Sequence, residues 1–344
     1  MKILAIQFKS LGDAVLVVPA LEAIRVRFPS CQLHVLVSDR AAPLLQSLPW
    51  INRIWIMPRV RSRARIKQNW PLIRALRAER FDYSVDFASN DRGAVLSLLC
   101  GARERIGLDY PGFWGKRFCF TQRVTPAPIS QHEARRNFRV LSVWNITPPE
   151  LLEVKIKPDP SLAGVAKIHL PEKNILCHMG AGMPKKQWPV QHWAAFYQQA
   201  SASGFKLAFT AGENAREQAL VVELKALLPE APILPAFNIA EFLAVLSRAQ
   251  ALVAGDTGPM HFAAALGVPF VARFGASLFA QWKPLAQNCS ILHGTPCTCE
   301  GAWHDCRSTS HCLASIEPSQ VLERLISVLA AGRHADGGPQ KLGA

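Results

Sequence analysis

Apolar residues follow two alternating rhythms along this chain. Residues 1–8 (MKILAIQF) form a short apolar run, broken by Ser10-Leu11-Gly12-Asp13 and followed by apolar positions at helical spacing as far as Phe28, where Pro29 stops the pattern. A second apolar run occupies 32–37, so the chain opens as strand, helix, strand, the repeating unit of parallel sheets. Further strands are predicted at 53–57 and 83–87, with helices over 67–80 and 92–100. Residues 105–130 carry several Gly and Pro and read as irregular. Pro148, Pro149, Pro158, Pro160 and Pro171 mark 146–173 as a linker between domains. The rhythm then restarts, with strands at 174–178, 206–210, 251–254 and 269–274 and helices at 190–203, 214–228 and 258–266. Pro318 opens a last helix whose Val321, Leu322, Leu325, Ile326 and Leu329 share one face, with Gly332 placed to end it. The expected fold is α/β, with two Rossmann-like domains of mostly parallel sheet over 1–155 and 156–330 and a flexible tail over 331–344.

Length agrees with two domains, since 344 residues exceed the roughly 100 to 200 of a typical one. With 49% hydrophobic and 19% charged residues, disordered and fibrous classes are excluded. No apolar run approaches the roughly 18 to 20 residues of a membrane-spanning helix, and Lys9, Ser10, Gly12 and Asp13 interrupt what would otherwise resemble a signal peptide. A cytoplasmic protein is expected. The net charge of +14 is uneven: residues 1–150 hold 23 Lys and Arg against 11 Asp and Glu, the remainder 16 against 14. An acidic partner is therefore expected to meet the first half.

Three strand-to-helix loops can carry chemistry. Asp13 stands where open α/β sheets place ligands, and it reads either as a helix cap or as a general base. The loop His178 to Pro189, with Gly180, Gly182, Lys185 and Lys186, suits a diphosphate, although it matches neither the Walker nor the dinucleotide pattern and also reads as a plain glycine loop. In Gly255-Asp256-Thr257-Gly258-Pro259-Met260-His261, Asp256 or Thr257 either caps the next helix or leaves its first N–H groups to a phosphate. His261 alone reads as structural.

Together, the strand-SLGD-helix start, the GAG…KxWP loop and DTGPMHFAAALGVPFVARFG resemble glycosyltransferase family 9, the bacterial heptosyltransferases of lipopolysaccharide core synthesis. The likeness runs from residue 1 to about 330. It implies a GT-B fold in which the two domains face a cleft, the acceptor on the N-terminal side and the nucleotide sugar on the C-terminal side. By position, Asp13 resembles the family's catalytic base and Lys186 the lysine that binds the donor diphosphate. Gly180, Asp256, Thr257, Gly258 and His261 fall in the donor-binding loops. Glu217 stands one residue from the family's ribose-binding acid, with Glu213 as competitor, and Phe237 falls where a hydrophobic side chain meets the base. The resemblance implies an inverting transfer, with Lys186 and the helix start at Thr257 stabilising the departing nucleoside diphosphate. An Asp-x-Asp pair is absent from the sequence, so metal-independent chemistry is expected and no cofactor is called for.

The run from Arg59 to Arg80 holds Arg59, Arg61, Arg63, Arg65, Lys67, Arg74, Arg77 and Arg80 against Glu79 alone. Its expected role is to hold an anionic glycolipid acceptor, with Ser10, Arg59, Arg61 and Arg63 as acceptor-side candidates, or to touch the membrane, at about 1 kcal/mol per basic group. Nucleic acid is not expected, because stacking aromatics are not interleaved with the charges. Cys31, Cys100, Cys119, Cys177 and Cys289 stand singly in apolar settings and read as buried thiols. Cys297, Cys299, Cys306 and Cys312, with His304 and His311, are open to a structural metal, although the Cys-x-Cys start departs from the usual ligand spacing, or to reduced or redox-labile thiols. Two other functions compete with transfer: a nucleotide-sugar epimerase, and a noncatalytic nucleotide- or polyanion-binding protein.

Overall fold

A computed structural model describes residues 1–58, 66–112, 114–275, 277–295 and 312–336. The chain divides into two compact units, Met1–Ile156 and a second beginning at Lys157.

In the first unit the strands β1 (Lys2–Gln7), β2 (Gln32–Ser38), β3 (Arg53–Met57), β4 (Tyr83–Asp86), β5 (Glu104–Leu108) and β6 (Gln122–Val124) form one parallel sheet in the order β3-β2-β1-β4-β5-β6. They alternate with helices α1 (Leu11–Leu16), α2 (Val18–Arg27), α3 (Ala42–Leu45), α4 (Ile66–Ala78), α5 (Asp91–Leu99) and α6 (Glu133–Arg136). Ile3, Leu4, Ala5 and Ile6 are completely buried, as a central parallel strand covered on both faces requires. The helix expected from the first loop to Phe28 is two helices. Pro19 has no N–H to continue the ladder, so α1 stops and α2 starts afresh from Val17. Residues 105–130 are not irregular throughout, since β5 and β6 lie there.

The second unit is built from β7 (Ile175–His178), β8 (Leu207–Thr210), β9 (Ala251–Gly255), β10 (Phe270–Phe274) and β11 (Cys289–His293), parallel and in the order β11-β10-β9-β7-β8. Its helices are α7 (Ala163–His169), α8 (Val190–Ala202), α9 (Ala215–Leu227), α10 (Ile239–Arg248), α11 (Gly258–Leu266), α12 (Phe279–Trp282) and α13 (Pro318–Asp336). Part of the expected linker is therefore folded: Asp159 caps a short turn at Pro160–Leu162 that leads into α7. The tail boundary at 331 also moves, because α13 runs through Gly332 to Asp336. One glycine costs a helix only about 1 kcal/mol, and Ala330 and Ala331 before it favour helix. Residues 337–344 lie outside the described residues.

Trp188 and Trp193 anchor the second core, their rings 5.1 Å apart and edge to face. The buried guanidinium of Arg273 lies 4.3 Å from one ring and 4.1 Å from the other. Burial pulls its pKa down to about 9, and the two indole faces stabilise the charge that remains.

Candidate active site

Open α/β sheets bind ligands at the carboxyl ends of the strands where the order reverses direction. In the first sheet that point lies between β1 and β4, and in the second between β7 and β9. Asp13 and Ser10 stand at the first of these places, and Gly180, Lys186, Asp256, Thr257 and Gly258 at the second.

At the first point, Ser10 and Asp13 form a capping box at the start of α1. Asp13 Oδ2 accepts from the Ser10 N–H at 3.1 Å and the Ser10 hydroxyl at 2.6 Å. Oδ1 is buried and accepts no hydrogen bond, and it lies 4.0 Å from Lys9 Nζ. One Asp13 oxygen therefore caps the helix, while the other accepts no hydrogen bond among the described residues. Burial raises its pKa, while Lys9 and the Ser10 hydroxyl oppose the rise.

Around Asp13 stands a group of ionisable side chains that no sequence motif identifies. Lys9 Nζ donates to Glu133 Oε1 at 2.7 Å, and Arg136 pairs with the other Glu133 oxygen and reaches the Tyr110 hydroxyl. Lys116 is buried beside Tyr110, its ammonium 5.9 Å from the ring centroid. Asp86, at the end of β4 and in register with Ile6 of β1, has no exposed surface. Its Oδ1 accepts from the Ala88 N–H at 3.0 Å, and its Oδ2 has no partner. Burial pushes its pKa up to about 7 against the pull of that N–H, Lys9 and Lys116. A Cβ on Gly93 would stand 2.2 Å from Asp86 Oδ1, so only glycine lets α5 approach. Ser89, just beyond, has φ of 52°, a left-handed conformation that costs a non-glycine residue about 1 kcal/mol or more.

At the second point, Lys186 Nζ donates to Asp256 Oδ2 at 2.6 Å. The buried Ser277 hydroxyl donates to the same oxygen, a third member that sequence reasoning missed. Asp256 is set by its own N–H, which donates to Arg273 O at 3.0 Å. Thr257 is the N-cap of α11, yet its side chain makes no capping bond and its buried hydroxyl has no partner. Pro259 has no N–H, and Met260 donates to Thr257 O at 3.1 Å. Among the described residues, the N–H groups of Thr257 and Gly258 are therefore the ones left unengaged at the positive end of the helix. His261 is buried one turn further in. The Lys186 turn is fastened from behind by Trp188, whose indole N–H donates to Ile316 O at 3.0 Å.

Glu217 closes the other side of this point. It is buried, with Oε2 accepting the Gly212 N–H at 2.7 Å and Oε1 the Asn214 amide at 2.8 Å, whereas Glu213 is exposed. A Cβ on Gly180 would stand 1.9 Å from Glu217 Oε2 and 2.8 Å from His178 Nε2. That close approach is what glycine permits there. Burial pushes the His178 pKa down to about 4 in spite of Glu217, so the imidazole is neutral at physiological pH. Phe237 is half-buried and packs edge-on against His169 of α7, centroids 5.0 Å apart.

Arg59, Arg61, Arg63 and Arg65 lie outside the described residues, as do Cys297, Cys299, Cys306, His304 and His311. Of the basic run, Arg74, Arg77 and Arg80 are exposed, and Trp70 on α4 is 49% exposed beside them. Among the described residues no helix is long and apolar enough to cross a membrane.

A family model described as glycosyltransferase family 9 (heptosyltransferase) matches residues 69–305. Lipopolysaccharide heptosyltransferase 3 of Escherichia coli is 24% identical over 296 residues, covering 80% of this chain and 84% of that protein. The glycosyl transferase family 9 structure from Veillonella parvula aligns with a TM-score of 0.84 at 20% identity, covering 96% of this chain and 97% of that one. The Escherichia coli ADP-heptose lps heptosyltransferase II structure aligns with a TM-score of 0.80 at 21% identity, over 97% of this chain and 100% of that one.

Proposed function

Because the chain belongs to glycosyltransferase family 9 (heptosyltransferase), with the GT-B fold of its structural neighbours, we propose that it moves a heptose or a closely related sugar from an ADP-activated donor to an anionic acceptor of the lipopolysaccharide core, with inversion and without a metal. One observation carries this reading: the reversal point of one sheet holds a buried carboxylate with an unused oxygen, and that of the other holds a lysine beside an uncapped helix start.

The acceptor hydroxyl gives its proton to Asp13 Oδ1 as its oxygen bonds to the anomeric carbon. On the opposite face the bond from that carbon to the diphosphate oxygen breaks, and the electron pair leaves with the nucleoside diphosphate. Lys186, the N–H groups of Thr257 and Gly258 and the Thr257 hydroxyl meet that growing negative charge. Before the donor binds, Lys186 rests on Asp256; Ser277 continues to hold that carboxylate when the lysine turns to phosphate. Metal independence rests on these fixed groups and on the lack of an Asp-x-Asp pair. Glu217, buried beside Gly180, is assigned to the ribose hydroxyls, supported by that approach to the glycine loop, and Phe237 is assigned to the base from its position in the family pattern. ADP as the nucleotide draws on the donor named for the Escherichia coli structure. Trp70, Arg74 and Arg77 support a peripheral contact with an anionic cytoplasmic membrane face, where the glycolipid acceptor would be met.

The test is transfer itself. Incubated with ADP-heptose and a heptose-deficient core acceptor, the protein should release ADP only when both are present, at a rate that excess EDTA leaves unchanged. An altered sugar nucleotide formed without acceptor would point to an epimerase instead, and binding without turnover to a noncatalytic role. A further prediction concerns the nucleotide pocket. Gly180→Ala drives a methyl into the Glu217 carboxylate and should weaken ADP binding about tenfold, the value of one hydrogen bond to a charged group. Calorimetric titration measures it, and an unaltered Kd would remove Glu217 from the ribose site.

A further inference from the structure

We propose that Lys9, tethered by Glu133, is a positioning residue that keeps the open oxygen of Asp13 available as an ionised proton acceptor. The inference deepens the functional reading above and rests on Asp13 being the base.

The geometry separates charge from contact. Lys9 Nζ is bonded to Glu133 Oε1 at 2.7 Å and stands 4.0 Å from Asp13 Oδ1. At that distance the ammonium favours the carboxylate form but does not occupy the lone pair that must receive the acceptor proton. A direct Lys9–Asp13 hydrogen bond would take up Oδ1 and lower its basicity. Glu133 prevents it, and Arg136 on the far Glu133 oxygen fixes Glu133 in turn. The tether spans 124 positions of sequence, from the loop after β1 to the start of α6.

The remaining surroundings do not supply this charge. From α6 come Glu133, Arg136 and the His132 ring, whose Nδ1 accepts from the Ala134 N–H. From the segment after β5 comes Tyr110, bonded to Arg136, and from β4 the buried Asp86. Lys116 lies against Tyr110. Helix α3 (APLL) brings no ionisable side chain. On α2, Glu22 and Arg27 are exposed, and Arg25 is engaged with the carbonyls of Pro29, Cys31 and Trp50. Of the two charges that act directly on Asp13, Lys9 favours its ionisation and Glu133 opposes it; burial, the largest influence, also opposes it. Lys9 itself loses to burial but gains more from Glu133 and Asp13, so it stays charged.

The pH profile of kcat/KM reads this directly. Lys9→Met should move the acidic limb to higher pH by about one unit, so that at any pH on that limb transfer falls about tenfold and recovers as the pH is raised. Lys9→Arg should return the limb close to its starting position. Glu133→Gln, which leaves Lys9 in place, should move the limb the other way. A merely structural Lys9 would lower the plateau and leave the limb where it was, and that result, in folded protein, overturns the proposal. The Asp13→Asn variant separates the two ideas. If it remains active, the base assignment fails; if it is inactive while the Lys9 and Glu133 variants leave the limb unmoved, only the positioning role fails.

Discussion

Asp13→Ala should lower the rate of sugar transfer by about 10² to 10⁴-fold, the range a positioned general base contributes, while ADP binding stays close to that of the unaltered protein. The split follows from the fold. Asp13 belongs to the first unit and every group assigned to the diphosphate belongs to the second, so the substitution removes proton transfer and leaves the leaving-group contacts intact. It also removes half of a capping box, a loss of about 1 kcal/mol to α1. Asp13→Asn controls for this, since an amide oxygen still accepts from Ser10 but cannot take a proton at neutral pH. The measurement is kcat from ADP release beside a calorimetric Kd for ADP. Unchanged turnover in the alanine variant would refute the base.

The second large effect is on stability. Asp86 ordinarily titrates near 3.8, and in the folded protein near 7. Below about pH 4 both states hold the proton and no penalty arises. Between about 4 and 7 the unfolded chain releases it and the folded chain does not, so stability falls with rising pH and levels off above 7. Three pK units correspond to roughly 4 kcal/mol. Asp86→Asn keeps the acceptor for Ala88 and carries no charge, so it should match the unaltered protein at pH 4 and exceed it by up to that amount at pH 8. Urea midpoints at the two values test this, and an advantage equal at both would mean that the carboxyl does not titrate as described.

The strands were legible where burial on both faces writes itself as an apolar run, as in Ile3 to Ile6 and 251–254. They were not legible in β5 and β6, which read ERIGL and QRV, because strands near a sheet edge keep polar residues and β6 has only three. Helix α10 does carry a local signal, since Asn238 and Glu241 form a capping box at the expected spacing of three. In the Pro-rich stretch, Pro160 begins a turn and not a linker, since its missing N–H is harmless at a helix start. The candidate site divides in the same way. Asp13, Lys186 and Asp256 sit where a strand gives way to a helix, in segments whose local spacing is informative. Lys9, Asp86, Tyr110, Glu133 and Arg136 have no common motif, because sheet topology alone brings them to one place.

The bond from the Trp188 indole to the Ile316 carbonyl spans 128 positions, and it bears on the order in which the protein comes into being. Domains generally fold as units, the N-terminal one first during synthesis. The start of α1, with its Ser10–Asp13 capping box, belongs to the unit that ends at Ile156 and so leaves the ribosome first. The turn that presents Lys186 waits for a carbonyl just before the last helix, and a nascent chain halted short of Ile316 would hold its first sheet complete and its Lys186 turn unfastened.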